Sequence, residues 1–327
     1  MKPNLIAQFQ SALGGRYTIE RELGRGGMAT VFLAHDRADT AVALKLLNPD
    51  LGSTLGADRF RREIRVAGQL QHPNILSVLD SGVATIANGI DFLWFTMPYV
   101  QGVNVWERFE QSGGAFTPTE VVRIGRAVAD ALAYAHDKGV VHRDIKPDNI
   151  LLEGQRVLVA DFGVARAVSE IHEKLTATGM VVGTPTYMSP EQASGEREID
   201  GRSDIFALAC VLYELLAGEA PFHGPTPQAT LMRRFTGPPR ALRPLFDVPE
   251  SLEAAVLKAL SRDPNDRHQT AAAFSAALAG QEPAPTPAPG SALEPQREAS
   301  RPKTARSGCL GLVLLALVTA ALGTLAG

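Results

Sequence analysis

The segment His142–Asn149 reads His-Arg-Asp-Ile-Lys-Pro-Asp-Asn, so polar and charged groups crowd into a short stretch. It follows a helix-like run and precedes an apolar run at 150–152. Carboxylate, amide and ammonium groups placed this closely can accept a proton, hold a divalent cation and bind an anion. A plain surface turn is the alternative interpretation. The density of chemically competent side chains argues against it.

A second acidic motif, Asp161-Phe162-Gly163, follows the strand candidate Val157–Ala160. It lies 17 residues after Asp144, with a hairpin-like Glu153-Gly154 between the two. The tripeptide alone is common by chance. Its position behind a strand and close to the first segment makes it more specific than the tripeptide alone.

Two features nearer the N-terminus could bind phosphate. Gly24, Gly26 and Gly27 lie between two strand candidates, and glycine lets backbone N–H groups approach a phosphate closely. A hairpin turn is the alternative, and a dinucleotide-binding loop is excluded because a strand follows. Lys45 lies in an apolar strand. It either points to water from an edge strand or binds phosphate while Glu63 on the next helix holds it.

The elements that must position these residues differ between the two halves of the chain. Alternating and apolar runs bounded by turn residues predict strands in the front half, with one helix at Ala57–Leu70. The predicted strands are Tyr17–Leu23, Thr30–Ala34, Ala41–Leu46, Leu76–Asp80 and Phe92–Tyr99.

Helical spacing dominates from about residue 117. Thr117 and Glu120 form a predicted capping box, and Gly139 is the predicted stop of that helix. Further helices are predicted at Asp204–Ala217, ended by Gly218, and at Thr270–Ala279, ended by Gly280. A strand-rich front and a helix-rich back predict either an α+β protein or two adjacent lobes.

Taken in order, these motifs resemble the signatures of protein kinases. The series is the Gly-rich loop at 24–31, Lys45, Glu63, His142–Asn149, Asp161-Phe162-Gly163 and Ser189-Pro190-Glu191. The stretches 23–34 and 183–192 look like those of the bacterial eukaryotic-like (Hanks-type) serine/threonine kinases. The resemblance covers about residues 17–280. It implies a bilobal fold, with a β-rich N-lobe at about 17–100 and a helical C-lobe at about 101–280.

The resemblance implies a role for each catalytic residue in moving the γ-phosphate of ATP to Ser and Thr hydroxyls. Lys45, held by Glu63, should contact the α- and β-phosphates. Asp144 should accept the proton of the substrate hydroxyl, and Lys146 should steady the transferring phosphate. The implied metal ligands are Asn149 and Asp161, and the implied ion is Mg²⁺, with Mn²⁺ as an alternative.

The same resemblance implies the nucleotide pocket. Met97 matches the gatekeeper position, and adenine would meet the backbone beside it. The implied pocket residues are Leu23, Gly24, Gly26, Gly27, Val31, Ala43, Lys45, Met97, Pro98, Val100 and Leu151. The third glycine of the loop is replaced by Ala29, so we expect a modest effect on ATP affinity.

Regulation is implied by Arg143, which precedes Asp144 as in kinases that are switched by phosphorylation of the activation loop. A phosphate there adds negative charge that an arginine can bind. Thr176 and Thr178 in the loop 164–188 are the candidate acceptors, and a solvated pair of threonines is the alternative. Thr184 is similar to the threonine that lies beside the catalytic aspartate in serine/threonine kinases.

Three residues are implied to be structural. Asp204 resembles the aspartate that begins a buried helix and holds the backbone of the catalytic loop. Glu191 and Arg267 match the pair that ties the activation segment to the late helices. The usual Ala-Pro-Glu signature begins here with Ser189, which exchanges one small residue for another.

Composition limits the class of protein. The chain has 327 residues, of which 45% are hydrophobic and 20% charged, so most of it can bury an ordinary core. The formal net charge of −3 carries no signature of nucleic-acid binding. Two cysteines, Cys210 and Cys309, form no disulfide framework, which favours a reducing, cytoplasmic compartment for the main domain.

The two ends differ in character. Residues 1–16 are a short extension and not a secretory signal peptide. Residues 281–307 are rich in proline and predict an extended juxtamembrane linker. Residues 308–327 contain no charged side chain and are long enough for one transmembrane helix. The basic cluster of Arg301, Lys303 and Arg306 predicts a cytoplasmic kinase domain anchored in the inner or plasma membrane, and a buried core helix is the alternative for the last segment.

The leading hypothesis is therefore an active, membrane-anchored serine/threonine kinase acting on proteins, and no nucleic-acid partner is expected. A homodimer would allow autophosphorylation between chains. The rival hypothesis is a catalytically silent pseudokinase that serves as a nucleotide-binding scaffold. The complete set of Lys45, Asp144, Asn149 and Asp161 argues against that rival, and Lys146 argues against a tyrosine kinase.

Overall fold

The front of the chain builds a five-stranded antiparallel sheet. The computed structural model describes residues 3–27, 29–49, 57–86, 89–114, 116–162, 185–243 and 246–280. The strands are β1 (Tyr17–Arg25), β2 (Ala29–Asp36), β3 (Ala41–Leu47), β4 (Asp80–Thr85) and β5 (Asp91–Pro98). Their spatial order is β1-β2-β3-β5-β4. Because β3 pairs on both sides, Lys45 lies in a central strand, and the edge-strand interpretation of this residue is wrong.

The two faces of this sheet bury different clusters because side chains alternate along a strand. Val42, Leu44 and Leu46 of β3 pack with Phe92 and Trp94 of β5 on the outer face. On the inner face, Ala43 and Leu47 of β3 pack with Leu93, Phe95 and Met97 of β5. Lys45 lies between Ala43 and Leu47, so its side chain emerges on the inner face.

The predicted strand at Leu76–Asp80 is displaced in the structure. The strand begins at Asp80 and continues through Gly82 to Thr85, opposite β5. Residues that suggest a turn are tolerated here because the indole ring of Trp94 lies directly over Gly82. A Cβ built on that glycine would come within 2.6 Å of the Trp94 ring. Leu76, where the strand was predicted to begin, instead bonds to Val159 at the junction between the lobes.

One helix, α1 (Pro3–Ala12), covers the outer face of the sheet. Phe9 is fully buried there, and its ring centroid lies 5.8 Å from that of Phe92. The Gln10 side chain donates to the Tyr17 carbonyl at 2.7 Å and accepts the Ile19 N–H at 2.7 Å. The described part of the extension predicted at 1–16 therefore contributes to the core of the front half.

The inner side of the sheet is bordered by α2 (Ala57–Ala67), which buries Phe60 and Ile64. The predicted helix continued to residue 70, but the structure ends it earlier. Gly68 follows directly. Its N–H still bonds to the Ile64 carbonyl four residues back, whereas the Gln69 N–H bonds to the Val66 carbonyl only three residues back, as in a turn. A glycine just after the last turn is a common helix stop.

The back half is helical. Its helices are α3 (Val105–Gln111), α4 (Pro118–Asp137), α5 (Pro190–Ala193), α6 (Gly201–Ala217), α7 (Pro227–Thr236), α8 (Glu250–Ala259) and α9 (Ala271–Leu278). The predicted capping box at Thr117 and Glu120 is present, and Gly139 has a φ of +73°. Gly218 caps α6 with a φ of +79°. The predicted helix Thr270–Ala279 is one residue shorter at each end, because Thr270 is the N-cap of α9 and Ala279 its C-cap.

The buried helix α6 begins three residues before the predicted Asp204 start. Asp200 is its N-cap and accepts the Arg202 N–H at 2.9 Å, so the first turn begins with Gly201, Arg202 and Ser203. Polar residues in this turn hid the true beginning from the apolar pattern. Asp204 consequently lies inside the first turn, where it is completely buried.

Short strands join the two halves. A small sheet holds β6 (Val103–Asn104), β7 (Ile150–Glu153) and β8 (Arg156–Val159). The Leu76 N–H donates to the Val159 carbonyl at 2.9 Å, and the Val159 N–H donates to the Asn74 carbonyl at 2.8 Å. These bonds fix the back of the five-stranded sheet to the strand that leads into Asp161.

No helix in the described part of the chain is long and apolar enough to cross a membrane. The predicted transmembrane segment 308–327 and the linker before it lie outside the described residues.

Candidate active site

A buried carboxylate holds the polar segment 142–149 by its backbone. Asp204 accepts the N–H of His142 at 2.8 Å and the N–H of Arg143 at 2.7 Å. It also lies 2.8 Å from Nε2 of His136 on α4. Burial raises the pKa of Asp204, but these hydrogen bonds and nearby charges outweigh burial and hold its pKa below the usual value. The segment is therefore fixed to the helical core.

The backbone in this segment is strained in a way that a functional site can retain. Arg143 and Asp161 both have a φ of +67°, a conformation that side-chain-bearing residues rarely adopt. The hydrogen bond from the Arg143 N–H to Asp204 helps to stabilise that conformation in the first case. The Nε of Arg143 is buried without a hydrogen-bond partner among the described residues.

His142 connects the two acidic motifs. Its Nε2 lies 2.8 Å from the carbonyl oxygen of Ala160, so Nε2 carries the proton. Nδ1 is then the acceptor for the Asp144 N–H at 3.3 Å. The imidazole edge meets the ring of Phe162, with 4.6 Å between centroids. His142 thus sets the spacing between the segment of Asp144 and the segment of Asp161.

Asp144 sits in the open part of the site. Its Oδ2 accepts Nζ of Lys146 at 2.7 Å and Nδ2 of Asn149 at 3.1 Å. Asn149 Nδ2 also donates to the Asp144 carbonyl at 2.7 Å. Burial lowers the pKa of Lys146, but the carboxylates of Asp144, Asp148 and Asp161 outweigh burial and raise it. Lys146 therefore stays a cation beside a carboxylate that is half exposed.

Lys45 reaches across the cleft to Asp161. Its Nζ forms an ion pair with Oδ2 of Asp161, and both side chains are largely buried. Burial raises the pKa of Asp161, but the charge and hydrogen bond of Lys45, with the charge of Lys146, outweigh burial and hold the pKa below its usual value. No ion pair joins Lys45 to Glu63 among the described residues, although both lie in that part of the chain. Glu63 is half-buried on α2, and the resemblance-based pairing with Lys45 stays a prediction.

The acidic motif leaves ligand atoms that fit a hard divalent cation. Oδ1 of Asp161 is buried and has no hydrogen-bond partner among the described residues. Asn149 donates its Nδ2 to Asp144, so its side-chain oxygen can serve as a cation ligand. Mg²⁺ prefers oxygen ligands and completes its shell with waters and substrate phosphates. Within the described residues there is no cluster of three or more His, Cys, Asp or Glu side chains that could hold a metal ion.

Five of the predicted adenine-binding residues come together in one cluster on the inner face of the sheet. Ala43 pairs with Met97 across β3 and β5, and Val42 pairs with Pro98. One apolar cluster includes Val31, Ala43, Met97, Val100 and Leu151. Leu23 is outside this cluster and is partly exposed at the end of β1. The arrangement supplies an apolar slot between the sheet and the β7 strand.

The glycine loop between β1 and β2 stays open above this slot. A Cβ on Gly24, Gly26 or Gly27 would meet nothing within 4 Å, so no neighbouring atom crowds the loop at these glycines. The Asn48 side chain donates to the Gly27 carbonyl at 2.5 Å. Ala29, the departure from the third glycine, pairs regularly with Leu47 at the start of β2. An alanine therefore fits this position without a strained backbone.

The structure pairs Glu191 with Arg267 by two bonds of 2.7 Å and 2.8 Å. Ser203 adds a short hydrogen bond to the same carboxylate at 2.5 Å. Burial raises the pKa of Glu191, but the Arg267 and Ser203 bonds outweigh burial and lower it. The pair joins α5 to the turn before α9.

Several residues at the site were missed by the sequence reasoning. Gln192 donates to the Arg143 carbonyl at 3.0 Å, and Tyr187 donates to Glu214 at 2.6 Å. Arg234 of α7 binds backbone carbonyls of the segment before α5. His136 was hidden inside a regular helical pattern. Arg234 directly follows Arg233 in the sequence, so the local pattern gave no sign that its side chain is buried.

Gly163, Thr176, Thr178 and Thr184 lie outside the described residues. The predicted roles of these residues stay predictions.

Comparison with known families agrees with this geometry. The model of the family described as the protein kinase domain matches residues 17–277. The chain belongs to the protein kinase domain family. Its fold is the bilobal kinase fold, with a β-sheet N-lobe and a helical C-lobe.

Curated relatives are bacterial kinases. The chain is 42% identical over 272 residues to the serine/threonine-protein kinase PknB of Mycolicibacterium smegmatis, covering 81% of this chain and 43% of that protein. It is 42% identical over 264 residues to a probable serine/threonine-protein kinase of Streptomyces coelicolor, covering 79% of this chain and 39% of that protein. The kinase chain therefore spans less than half the length of these relatives.

A solved structure shares the fold. The crystal structure of the PknI kinase domain of Mycobacterium tuberculosis superposes with a TM-score of 0.62 at 33% identity. The match covers 81% of this chain and 95% of that chain.

Proposed function

We propose that this kinase-family chain transfers the γ-phosphate of ATP to serine and threonine hydroxyls of proteins. The observation that carries the proposal is the convergence of three separate segments on one cleft. β3 supplies Lys45, the loop after α4 supplies Asp144, Lys146 and Asn149, and the turn after β8 supplies Asp161. Family membership and the serine/threonine kinases among its relatives support the same reaction.

Each residue has a task that its surroundings suit. Phosphoryl transfer needs positioning and charge stabilisation more than covalent help. Lys45 binds the α- and β-phosphates, and Lys146 steadies the γ-phosphate beside Asp144. Asp144 accepts the hydroxyl proton and orients the attacking oxygen.

Asp161 and Asn149 would hold the divalent cation through the oxygens described above, with Mg²⁺ as the expected ion and Mn²⁺ as the alternative. The bound cation would supply neutralisation of the charge on the β- and γ-phosphates. Lys45 and Asp161 form an ion pair in the structure. When nucleotide binds, this pair must separate, so that Asp161 binds the cation and Lys45 binds the phosphates. Glu63 is then the residue that can hold Lys45 in place of Asp161.

The test of this function is transfer of labelled phosphate from ATP to protein by the full chain in detergent. Asp144→Asn should lower kcat by about 10²–10⁴-fold, the range typical of a lost general base. Asp137→Asn is the matched control, because Asp137 is exposed at the end of α4. Equal rates in wild type and Asp144→Asn would contradict the assignment.

A pseudokinase remains the second candidate, and the same assay separates it. Such a protein would bind ATP, seen as a thermal shift with Mg-ATP, without labelling any acceptor. Detection of labelled phosphoserine or phosphothreonine excludes it.

Three further features of the proposal concern regulation, assembly and location, and they follow from the sequence and its resemblance to the Hanks-type kinases. They are autophosphorylation at Thr176 or Thr178 with Arg143 as the phosphate ligand, a homodimer for transfer between chains, and membrane anchoring with a cytoplasmic kinase domain. The proposed boundaries are 1–16, 17–280, 281–307 and 308–327. Phosphosite mapping by mass spectrometry after incubation with Mg-ATP tests the acceptor sites.

A further inference from the structure

A buried arginine on α7 binds the backbone that borders the catalytic loop. Arg234 is 1% exposed, which is rare for an arginine without a carboxylate partner. One of its terminal nitrogens, Nη2, donates to the Pro185 carbonyl at 2.7 Å, and the other, Nη1, donates to the Met188 carbonyl. Among the described residues it has no ion-pair partner, and its Nε is buried without a hydrogen bond. The guanidinium therefore serves backbone carbonyls and not a counter-charge.

Burial of this guanidinium has a cost that its contacts must offset. Transfer of a charged group out of water is unfavourable, and carbonyl dipoles compensate for only part of the lost hydration. Burial lowers the pKa of Arg234, which reflects the same cost. An apolar side chain of similar length would avoid it, but the Met188 carbonyl would lose its Arg234 donor and the Pro185 carbonyl would keep only the long bond from the Met188 N–H at 3.3 Å. The fork geometry of arginine suits two carbonyls three residues apart.

The segment that Arg234 binds is held from two further directions. Tyr187, between the two carbonyls, donates its hydroxyl to Glu214 of α6 at 2.6 Å. A few residues later, Gln192 donates to the carbonyl of Arg143 at 3.0 Å. Since Arg143 immediately precedes Asp144, the position of the segment 185–192 is coupled to the position of the catalytic carboxylate.

We propose that Arg234 is a positioning residue for the protein substrate: by fixing 185–188 it sets the surface on which the acceptor peptide lies beside Asp144. The inference rests on the proposed kinase activity. An acceptor hydroxyl must come within hydrogen-bond distance of Asp144, so its peptide has to lie against the protein that borders this residue. The segment 185–192 is that border on the α6 and α7 side. None of the hydrogen bonds of Arg234 reaches a predicted nucleotide-binding residue, so its effect is confined to the acceptor side.

The experiment compares steady-state kinetics of the full chain with the variants Arg234→Met, Arg234→Lys and Arg233→Met. Arg233 is the matched control, since it is the exposed neighbour on the same helix. The probe is the peptide that the wild type phosphorylates best in a degenerate Ser/Thr array. Absence of transfer by the wild type would refute the proposed function itself, before any variant is compared.

Arg234→Met should raise KM for the peptide by at least about tenfold, the effect of losing a charge-assisted hydrogen bond. KM for ATP and the slow hydrolysis of ATP without peptide should stay within about twofold. Arg234→Lys should recover part of the loss, because an ammonium can still donate to one carbonyl. Arg233→Met should match the wild type.

The inference is overturned if folded Arg234→Met keeps the peptide KM of the wild type. It is also overturned if the KM values for peptide and ATP rise together, since that describes a general structural role. Should Arg234→Met fail to fold, the lysine variant decides. A raised peptide KM with an unchanged ATP KM supports the proposal, whereas an unchanged peptide KM or a second failure to fold rejects it.

Discussion

At the scale of single residues, the ion pair of Glu191 and Arg267 shows how burial and bonding compete. Both side chains are nearly inaccessible to water, and the guanidinium lies over the ring of Phe206 at 4.9 Å. Arg267 also donates to the carbonyls of Ser261, Arg202 and Arg262. All the polar atoms of the pair are therefore engaged, so removal of one partner leaves an uncompensated buried charge.

Glu191→Gln should lower the free energy of unfolding at neutral pH by about 3 kcal/mol, because an amide NH₂ then faces a donor of Arg267. The lowered pKa of Glu191 means that the folded protein takes up its proton at lower pH than the unfolded chain. The contribution is present above the ordinary value of 4.5 and is lost as pH falls through the folded pKa. Denaturant unfolding between about pH 7 and 3 should thus show the gap to wild type narrowing on acidification.

Glu250→Gln provides the control for this measurement. Glu250 pairs with Arg243 at 3.0 Å, but both side chains are exposed. Its substitution should change the free energy of unfolding by less than about 0.5 kcal/mol. A gap for Glu191→Gln that stayed constant over the whole acid range would contradict the coupling.

At the scale of elements, α1 converts one face of the sheet into a second core. Without it, the side chains of Phe92 and Trp94 would lie on an open face of the N-lobe. Arg16, just after α1, stacks over Trp94 with 4.8 Å between the guanidinium carbon and the ring centroid. The helix thereby fixes the strand that carries Met97 on its other face.

Phe9→Ala should destabilise the protein by about 3–5 kcal/mol, the cost of emptying a site that a fully buried phenylalanine fills. Phe246→Ala removes the same ring from a partly exposed position and should cost far less. Thermal unfolding followed by circular dichroism would measure both variants. Equal melting temperatures for Phe9→Ala and wild type would show that α1 does not contribute to the core.

Prediction of the elements from sequence succeeded where the signal is local. The capping residues Thr117 and Glu120 and the stop glycine Gly218 act within one helical turn, so their sequence patterns carry the information. Prediction of β4 was wrong because its residues become strand-like only through pairing with β5 and the Trp94 ring. That is a contact between distant parts of the chain, which a local pattern does not contain.

At the scale of the whole molecule, hydrogen bonds between the two lobes bring the two sides of the cleft together. Asn74, before β4, donates its side chain to the Val157 carbonyl at 2.8 Å, and the Gln71 N–H donates to the Tyr134 hydroxyl at 3.1 Å. Both bonds join the segment between α2 and β4 to the C-lobe. They hold Lys45 and Asp161 within reach of each other, although the two residues are far apart in sequence.

Deletion of residues 308–327 should move the protein from the membrane fraction to the soluble fraction, because these residues supply the apolar length that a bilayer span needs. The measurement is ultracentrifugation of lysates followed by immunoblotting. The charge-neutral substitution Leu312→Val keeps the apolar length and is the control, so it should stay in the membrane fraction. Recovery of the full chain in the soluble fraction without detergent would contradict the span.

The amino-acid sequence alone determined the order of the motifs and the change from a strand-rich front to a helix-rich back, because short spacings and helix caps are local properties. The tertiary structure decided which charges meet. Lys45 pairs with Asp161 where the motif series indicated Glu63, and Arg234 binds backbone carbonyls that no pattern indicated. Contacts of this kind depend on how distant elements pack and on which buried groups lack another partner. Packing between distant elements and the burial of polar groups arise only when the chain has folded.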